Sequence, residues 1–202
     1  MFPNEIMNLI RGMGIQEIVD FHRSGDSVYS IEDRYILKVS ENAARLREEY
    51  EKDAWISGMI SAPMPVQFSE DGGRAYYLRE RLSGENLCGD EFLSNPELLV
   101  DLLVKAIKSL HSTAVSNRKY VIDEGYDTLI HGDFCLPNIL AKDGKVSGFI
   151  DLGDAGIGDP WRDYAWCIWS LRYNLKTDDY TKILLDKLGI EFDQEKFDRY
   201  TK

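Results

Sequence analysis

The spacing of apolar residues changes along this chain, from the two-residue period of strands to the longer period of helices. Residues 35–39 and the first part of 74–84 are rich in β-branched and aromatic residues and predict strands. Residues 41–60 carry apolar side chains one turn apart and predict a helix that Ser40 can cap. We therefore expect an antiparallel sheet with one main helix in the N-terminal part.

The C-terminal part has the pattern of helices. One apolar stripe follows Asn95 and ends near Ser112, and a second helical segment follows Asp163. Between them, residues 142–145 have the composition of a hairpin turn and precede a predicted strand at 146–150. The two halves together predict an α+β fold whose second half is mostly helical and contains a hairpin.

Two acidic motifs flank this hairpin. Asp133 precedes Asn138 by five residues, and Asp151 precedes Gly153 by two. Either motif alone is more typical of a turn, in which Asp and Asn side chains bend or cap the chain. At this joint spacing they match the groups of phosphoryl transfer, where a carboxylate and an amide carbonyl bind Mg²⁺ and a second carboxylate takes the acceptor's proton. The pattern predicts Asp133 as the catalytic base and Asn138 and Asp151 as metal ligands.

Three segments resemble the aminoglycoside phosphotransferases, above all those that modify a 3′-hydroxyl: residues 131–140, 147–153 and 158–165. Gly132 stands where protein kinases have an arginine, which favours this small-molecule branch. The resemblance implies a protein-kinase-like fold of two lobes, the second carrying the catalytic hairpin. It also implies ATP or GTP bound between the lobes with Mg²⁺, and an Asp163 that braces the catalytic loop.

One lysine lies on the strand predicted at 35–39. This residue, Lys38, occupies the position from which a kinase lysine binds phosphates. Because a lone strand lysine is usually a solvated charge, the assignment depends on a carboxylate partner in the next helix. Alignment of residues 51–53 with the family makes Glu51 that partner, with Glu48 as the alternative.

The resemblance assigns two further segments to the nucleotide. A segment containing Ser24 and Ser27 matches the phosphate-covering loop of the family, although His22 replaces its usual glycine and the segment also fits a plain hairpin. The backbone from Glu80 to Leu82 matches the hinge that binds adenine. Such backbone recognition leaves no signature in the side chains.

Net charge is −11 over 202 residues. Residues 1–82 hold 10 basic and 14 acidic side chains, so residues 83–202 hold 14 and 21 and account for −7. We place the boundary between the two lobes at this point. The acidity disfavours nucleic acid as a partner and fits a cationic small-molecule substrate, although solubility alone would also explain it.

The N-terminus lacks a charged and apolar leader, and no apolar run reaches the length of a membrane span. We therefore expect a cytoplasmic protein without membrane contact. Its three cysteines, Cys88, Cys135 and Cys167, have no metal-binding spacing and are interpreted as reduced thiols.

The resemblance is incomplete where the family binds its drug. Residues 113–130 are too few for the family's helical insertion, and Tyr173 and Asn174 replace an acidic pair. The leading hypothesis is transfer of a γ-phosphoryl group to a hydroxyl of an aminoglycoside. The alternatives are a kinase for another small alcohol or amino sugar, and a nucleotide-binding protein without turnover. The acceptor, the regiochemistry and the oligomeric state stay open.

Overall fold

The chain divides into two compact units. The computed structural model describes residues 2–18, 26–115 and 117–202. The first unit comprises Met1–Gly58 and Ala62–Leu82, and the second comprises Met59–Ser61 and Ser83–Lys202. The short segment before Ala62 belongs to the second unit because the Ser61 carbonyl accepts a hydrogen bond from Phe149 N at 3.0 Å.

In its described residues, the first unit is a five-stranded antiparallel sheet with two helices. In chain order these elements are α1 (Asn4–Leu9), β1 (Ile15–Ile18), β2 (Ser27–Ile31), β3 (Tyr35–Ser40), α2 (Ala43–Ile56), β4 (Pro65–Asp71) and β5 (Arg74–Glu80). The strand order in the sheet is β1-β2-β3-β5-β4. The predicted sheet and main helix are confirmed, but Asn42 caps α2 instead of Ser40, because its side chain accepts from Arg45 N at 3.1 Å.

The two faces of this sheet differ in polarity. Lys38 pairs with Tyr77 across β3 and β5, and Ile36 pairs with Arg79, so these side chains share one face. That face packs against α2. The opposite face is apolar and packs against α1 in a cluster formed by Ile6, Ile10, Ile31, Tyr35, Leu37, Val39, Tyr76 and Leu78. The apolar face supplies a hydrophobic core of this unit, so the face toward α2 can accommodate charged side chains.

The second unit contains five helices and two small sheets among the residues described. The elements are β6 (Glu85–Asn86), α3 (Asp90–Leu93), α4 (Pro96–His111), β7 (Leu129–Ile130), β8 (Ile139–Lys142), β9 (Lys145–Phe149), β10 (Gly156–Ile157), α5 (Trp161–Leu175), α6 (Asp179–Leu188) and α7 (Gln194–Thr201). One sheet has the order β6-β8-β9 and the other pairs β10 with β7.

Local signals explain the elements around the predicted motifs. Asn95 caps α4 through a hydrogen bond from Leu98 N at 3.2 Å. Asp143 and Gly144 both have positive φ, at 52° and 69°, as a tight two-residue hairpin turn requires. The predicted helix and hairpin are therefore confirmed. Within the described ranges no helix is both long and apolar enough to cross a membrane.

Candidate active site

A single buried carboxylate fixes the start of the loop formed by residues 131–138. Asp163, in the first turn of α5, has no exposed surface. Its Oδ2 accepts from His131 N and its Oδ1 from Gly132 N, both at 2.9 Å. His111 Nε2 lies 3.0 Å from the same Oδ2. The carboxylate thus holds two consecutive main-chain amides, and α5 determines where the loop begins.

Gly132 allows the loop to pass close to the next turn of the chain. Its φ is +85°, a conformation that L residues rarely adopt. A Cβ built on it would lie 2.1 Å from the carbonyl oxygen of Asp154. A side chain therefore cannot be accommodated here without moving the backbone, which gives a physical reason for glycine where protein kinases have arginine.

The loop folds back on itself around Asp133. Cys135 N donates to the Asp133 carbonyl at 2.8 Å. Asn138 Nδ2 donates to that carbonyl and to the Asp133 carboxylate Oδ2, each at 3.0 Å. The carboxylate is partly exposed, so it is held in direction and remains accessible to a ligand.

Asp151 is tied to the same loop through the backbone N–H and carbonyl of Ile150, the residue that precedes it. Ile150 N donates to the Asn138 carbonyl at 2.9 Å, and the Ile150 carbonyl lies 3.0 Å from His131 Nε2. Because a carbonyl only accepts, Nε2 carries the proton here. Asp151 itself is exposed and has φ +57°, which costs about 1 kcal/mol or more for a residue with a side chain.

The predicted metal ligands offer a suitable donor set for Mg²⁺. Since Asn138 Nδ2 points at Asp133, the amide oxygen is presented in another direction, and Asp151 contributes a carboxylate. No group of three or more His, Cys, Asp or Glu side chains is placed to hold a metal in the part of the chain that the structure describes. Mg²⁺ commonly uses one or two protein ligands and completes its shell with water and phosphate oxygens, so two ligands suffice.

Lys38 lies in a buried charge cluster of the first unit. We define this cluster as Lys38, Glu49, Asp53, Tyr77 and Arg79. Lys38 Nζ is 2.5 Å from Glu49 Oε1, and Arg79 Nη1 is 3.3 Å from that oxygen and from Asp53 Oδ2. Tyr77 donates its hydroxyl to the same Asp53 oxygen at 2.7 Å. Burial raises the pKa of Asp53, although the Arg79 charge opposes the shift.

The predicted pairing of Lys38 with Glu51 is wrong, because the structure pairs Lys38 with Glu49. Two residues of a helix separated by one position lie about 200° apart around its axis. Glu49 therefore faces the sheet, whereas Glu51 is exposed. The alternative partner, Glu48, is also exposed and pairs with Lys52 at 3.1 Å.

Comparison with known proteins identifies the family. Residues 118–198 match the model of the phosphotransferase enzyme family. An aminoglycoside 3′-phosphotransferase of Enterococcus faecalis is 30% identical over 201 residues, which cover 75% of this chain and 76% of that protein. A probable aminoglycoside 3′-phosphotransferase of Lactococcus lactis is 27% identical over 231 residues, covering 93% and 88%. The chain belongs to the aminoglycoside phosphotransferase family.

A solved structure from the same family confirms the fold. Aminoglycoside phosphotransferase APH(3″)-Id from Streptomyces rimosus superimposes with a TM-score of 0.81 at 18% identity, over 96% of this chain and 93% of that one. The predicted kinase-like α+β fold is thereby confirmed. Membership of this family also confirms that the chain is a phosphotransferase enzyme.

The remaining nucleotide-binding predictions stay predictions. Ser24 lies outside the described residues, and Ser27 begins β2. Glu80 ends β5, and the amides of Glu80 and Arg81 donate to backbone carbonyls of the first unit at 2.9 Å. These two amides are used within the first unit, so the Glu80 carbonyl and the Leu82 amide stay among the candidate contacts for adenine.

A buried carboxylate of the second unit, Asp159, escaped the sequence analysis. Asp159 Oδ1 accepts from Trp161 N at 3.0 Å, and Oδ2 accepts from Tyr126 and Tyr200 at 3.1 Å and from Lys196 at 3.2 Å. Burial alone would raise the pKa of Asp159, but these hydrogen bonds outweigh it and hold the pKa below its ordinary value. Because Lys196 and Tyr200 lie on α7, they anchor the last helix to the start of α5.

The three cysteines, Cys88, Cys135 and Cys167, form no disulfide with one another. Their reduced state stays a prediction. Burial raises the pKa of both Cys135 and Cys167, and the Asp133 charge adds to the shift at Cys135. The thiolate, which is the reactive form, is therefore disfavoured at both positions.

Tyr173 and Asn174, which replace the acidic pair of the family, contact residues of α5 and the lysine that follows it. Tyr173 is 57% exposed and stacks on Trp169 with ring centroids 5.2 Å apart. Lys176 Nζ lies 4.0 Å from the centre of the Tyr173 ring. Asn174 Nδ2 donates to the Ser170 carbonyl at 2.8 Å. This part of α5 presents aromatic and cationic groups to solvent.

Proposed function

We propose that this phosphotransferase moves the γ-phosphoryl group of ATP or GTP to a hydroxyl of an aminoglycoside, of the 3′ type. The observation that carries the proposal is the geometry of the loop formed by residues 131–138. Asn138 orients the Asp133 carboxylate, and Asp163 accepts from the first two amides of the loop. The names of the relatives from Enterococcus faecalis and Lactococcus lactis support the acceptor. The Streptomyces rimosus enzyme, also solved with ADP and streptomycin, supports a nucleotide donor.

In this proposal Asp133 orients the acceptor hydroxyl and takes its proton late in the transfer. An ordinary carboxylate suffices, because the alcohol becomes acidic only as its bond to phosphorus forms. The hydrogen bond from Asn138 keeps the carboxylate in one direction. Positioning of this kind accounts for much of the catalysis in phosphoryl transfer.

Asn138 and Asp151 are the residues that would hold Mg²⁺, which neutralises phosphate charge when bound. Lys38, kept in direction by Glu49, would contact phosphate oxygens, and Ser24 and Ser27 would add contacts from the covering loop. The Glu80 carbonyl and the Leu82 amide would bind the base. The use of ATP makes a cytoplasmic location the natural expectation.

An acceptor other than an aminoglycoside is the second candidate. A polycationic drug needs several carboxylates, because an exposed ion pair contributes only about 0–1 kcal/mol. The surface at Tyr173 and Trp169 offers stacked rings with Lys176 instead. This observation favours a smaller alcohol or amino sugar, which would use the same phosphoryl-transfer groups.

A coupled assay of ADP or GDP release tests the proposal. Mg-ATP and Mg-GTP are each supplied with kanamycin, with its 3′-deoxy analogue and with a panel of small amino alcohols. Asp133→Ala is run beside wild type, and the exposed Asp186 on α6 provides the matched control Asp186→Ala. We expect turnover on kanamycin that falls about 100-fold or more in Asp133→Ala and is kept in Asp186→Ala.

The panel separates the candidates. Turnover on the 3′-deoxy analogue would contradict the 3′ assignment and leave aminoglycoside phosphorylation standing. Turnover confined to an amino alcohol would move the conclusion to the second candidate. A wild-type protein that binds nucleotide but turns over no acceptor would overturn the proposed activity.

A further inference from the structure

The charge cluster of the first unit contains a cation that the proposed mechanism does not use. Arg79 lies on β5 and is almost fully buried. Strand register places it on the same face as Lys38, since Ile36 pairs with Arg79 and Lys38 pairs with Tyr77. Its side chain thus reaches the carboxylates of α2 from the sheet face that packs against this helix.

One carboxylate oxygen is shared by two cations. Glu49 Oε1 lies 2.5 Å from Lys38 Nζ and 3.3 Å from Arg79 Nη1. The Arg79 nitrogen also lies 3.3 Å from Asp53 Oδ2, the oxygen that receives the Tyr77 hydroxyl. The contacts form a continuous chain of hydrogen-bonded groups from Lys38 through Glu49 and Arg79 to Asp53.

Stability alone does not account for this arrangement. Replacing a buried ion pair by apolar side chains is often neutral or stabilising, because burial removes the charges from water. The geometry indicates another role, since Arg79 occupies the space between the two carboxylates of α2. Without it, Lys38 would face both Glu49 and Asp53 and would be drawn toward the second carboxylate.

We propose that Arg79 is a positioning residue for Lys38, which it keeps directed at the nucleotide phosphates by binding Glu49 and neutralising Asp53. This inference rests on the proposed function, in which Lys38 contacts phosphate. It assigns a role to the second carboxylate as well, because Asp53 becomes a competitor for Lys38 whenever Arg79 is removed.

A double-mutant cycle measured by calorimetry tests the inference. The variants are Arg79→Met, Asp53→Asn and their combination, and the ligands are Mg-ATP and adenosine. The control Arg74→Met changes the exposed arginine at the other end of β5. If Arg79→Met does not fold, Arg79→Lys takes its place, because lysine keeps the buried charge but lacks the planar fork.

We expect Arg79→Met to weaken ATP binding about tenfold and to leave adenosine binding unchanged, since only phosphates meet Lys38. In the Asp53→Asn background the same substitution should change ATP affinity by less than about threefold. For Arg79→Lys the expected loss is about threefold. Arg74→Met should bind both ligands like wild type.

Two results would overturn the inference. One is an ATP affinity that does not change in a folded Arg79→Met, and the other is an equal loss for ATP and adenosine, which indicates a structural role only. The proposed function fails separately, through a wild-type protein that binds neither ligand.

Discussion

Two regions that contain predicted site residues are held in different ways. In the second unit, the loop of residues 131–138 is fixed through main-chain groups: Asp163 accepts from two of its amides, and the loop hydrogen-bonds both the N–H and the carbonyl of Ile150. In the first unit, Lys38 is fixed through charged side chains from β3, α2 and β5. The main-chain groups of the loop are supplied by any residue type, whereas the charge cluster needs particular charged side chains from separate elements in the right register and rotation.

The two regions should therefore fail differently. A hydrogen bond to a charged acceptor contributes about 1.5–3 kcal/mol, and its loss in the second unit shifts the path of the chain. Removal of one member of a buried ion pair costs about 3–5 kcal/mol, because it leaves a charge without its partner. Substitutions in the second unit should reduce the rate, and substitutions in the cluster should reduce nucleotide affinity.

The largest effect on activity is expected from a single methyl group in the second unit. Gly132→Ala adds strain at φ +85° and places Cβ against the Asp154 carbonyl. We expect a loss of about 3 kcal/mol in the free energy of unfolding and about 100-fold in kcat, because the loop must shift. Urea unfolding and the coupled assay measure the two losses.

The matched control is Gly144→Ala in the hairpin turn. Gly144 also has positive φ, at 69°, but no atom lies within 4 Å of its added Cβ. Backbone strain alone should lower the free energy of unfolding by about 1–2 kcal/mol and leave kcat within about twofold of wild type. Equal losses in the two variants would show that close approach at Gly132 does not matter, and would remove the main contrast between the regions.

The hairpin and the candidate site residues of the second unit could be predicted because they stand in short motifs. Asp133, Asn138 and Asp151 stand in short motifs whose spacing follows from backbone geometry, and a two-residue turn joins the strands between them. Asp163 was implied by the resemblance and is found against the loop. Local conformation leaves a trace in local sequence, so the hairpin and the second-half helices could be predicted.

The contacts within the charge cluster could not be predicted from short motifs. Alignment selected Glu51, but the buried residues of α2 include Leu46, Glu49, Asp53 and Ile56, which follow the helical period. That period was available in the sequence and would have placed Glu49 on the inner face. Arg79 left no such signal, because its partners are 26 and 30 residues away. Asp159 escaped for the same reason, with partners contributed by α7.

A substitution with a smaller expected effect on activity tests which side of α2 faces Lys38. Glu49→Gln removes the charge beside Lys38 while keeping the shape of the side chain. We expect the KM for ATP to rise about tenfold, equivalent to about 1.4 kcal/mol, with little change in kcat. Glu51→Gln should keep the KM within about twofold, because Glu51 is exposed on the opposite side of the helix. The reverse order would restore Glu51 as the partner of Lys38.

The smallest effect on activity is expected at Asp159, where a carboxylate of the second unit serves stability. Its pKa is lowered in the folded state, so its contribution is complete above the unfolded value near 4 and is lost as the pH falls through the folded value. Asp159→Asn should cost about 1–3 kcal/mol at pH 7, because the Lys196 and tyrosine donors lose a charged acceptor. The difference from wild type should shrink as the pH falls below about 4, while ATP affinity stays unchanged.

Urea unfolding between pH 7 and pH 3 measures this difference in the free energy of unfolding, with Glu195→Gln, at an exposed position of α7, as control. A difference that is constant across this range would mean that the Asp159 charge does not hold the last helix.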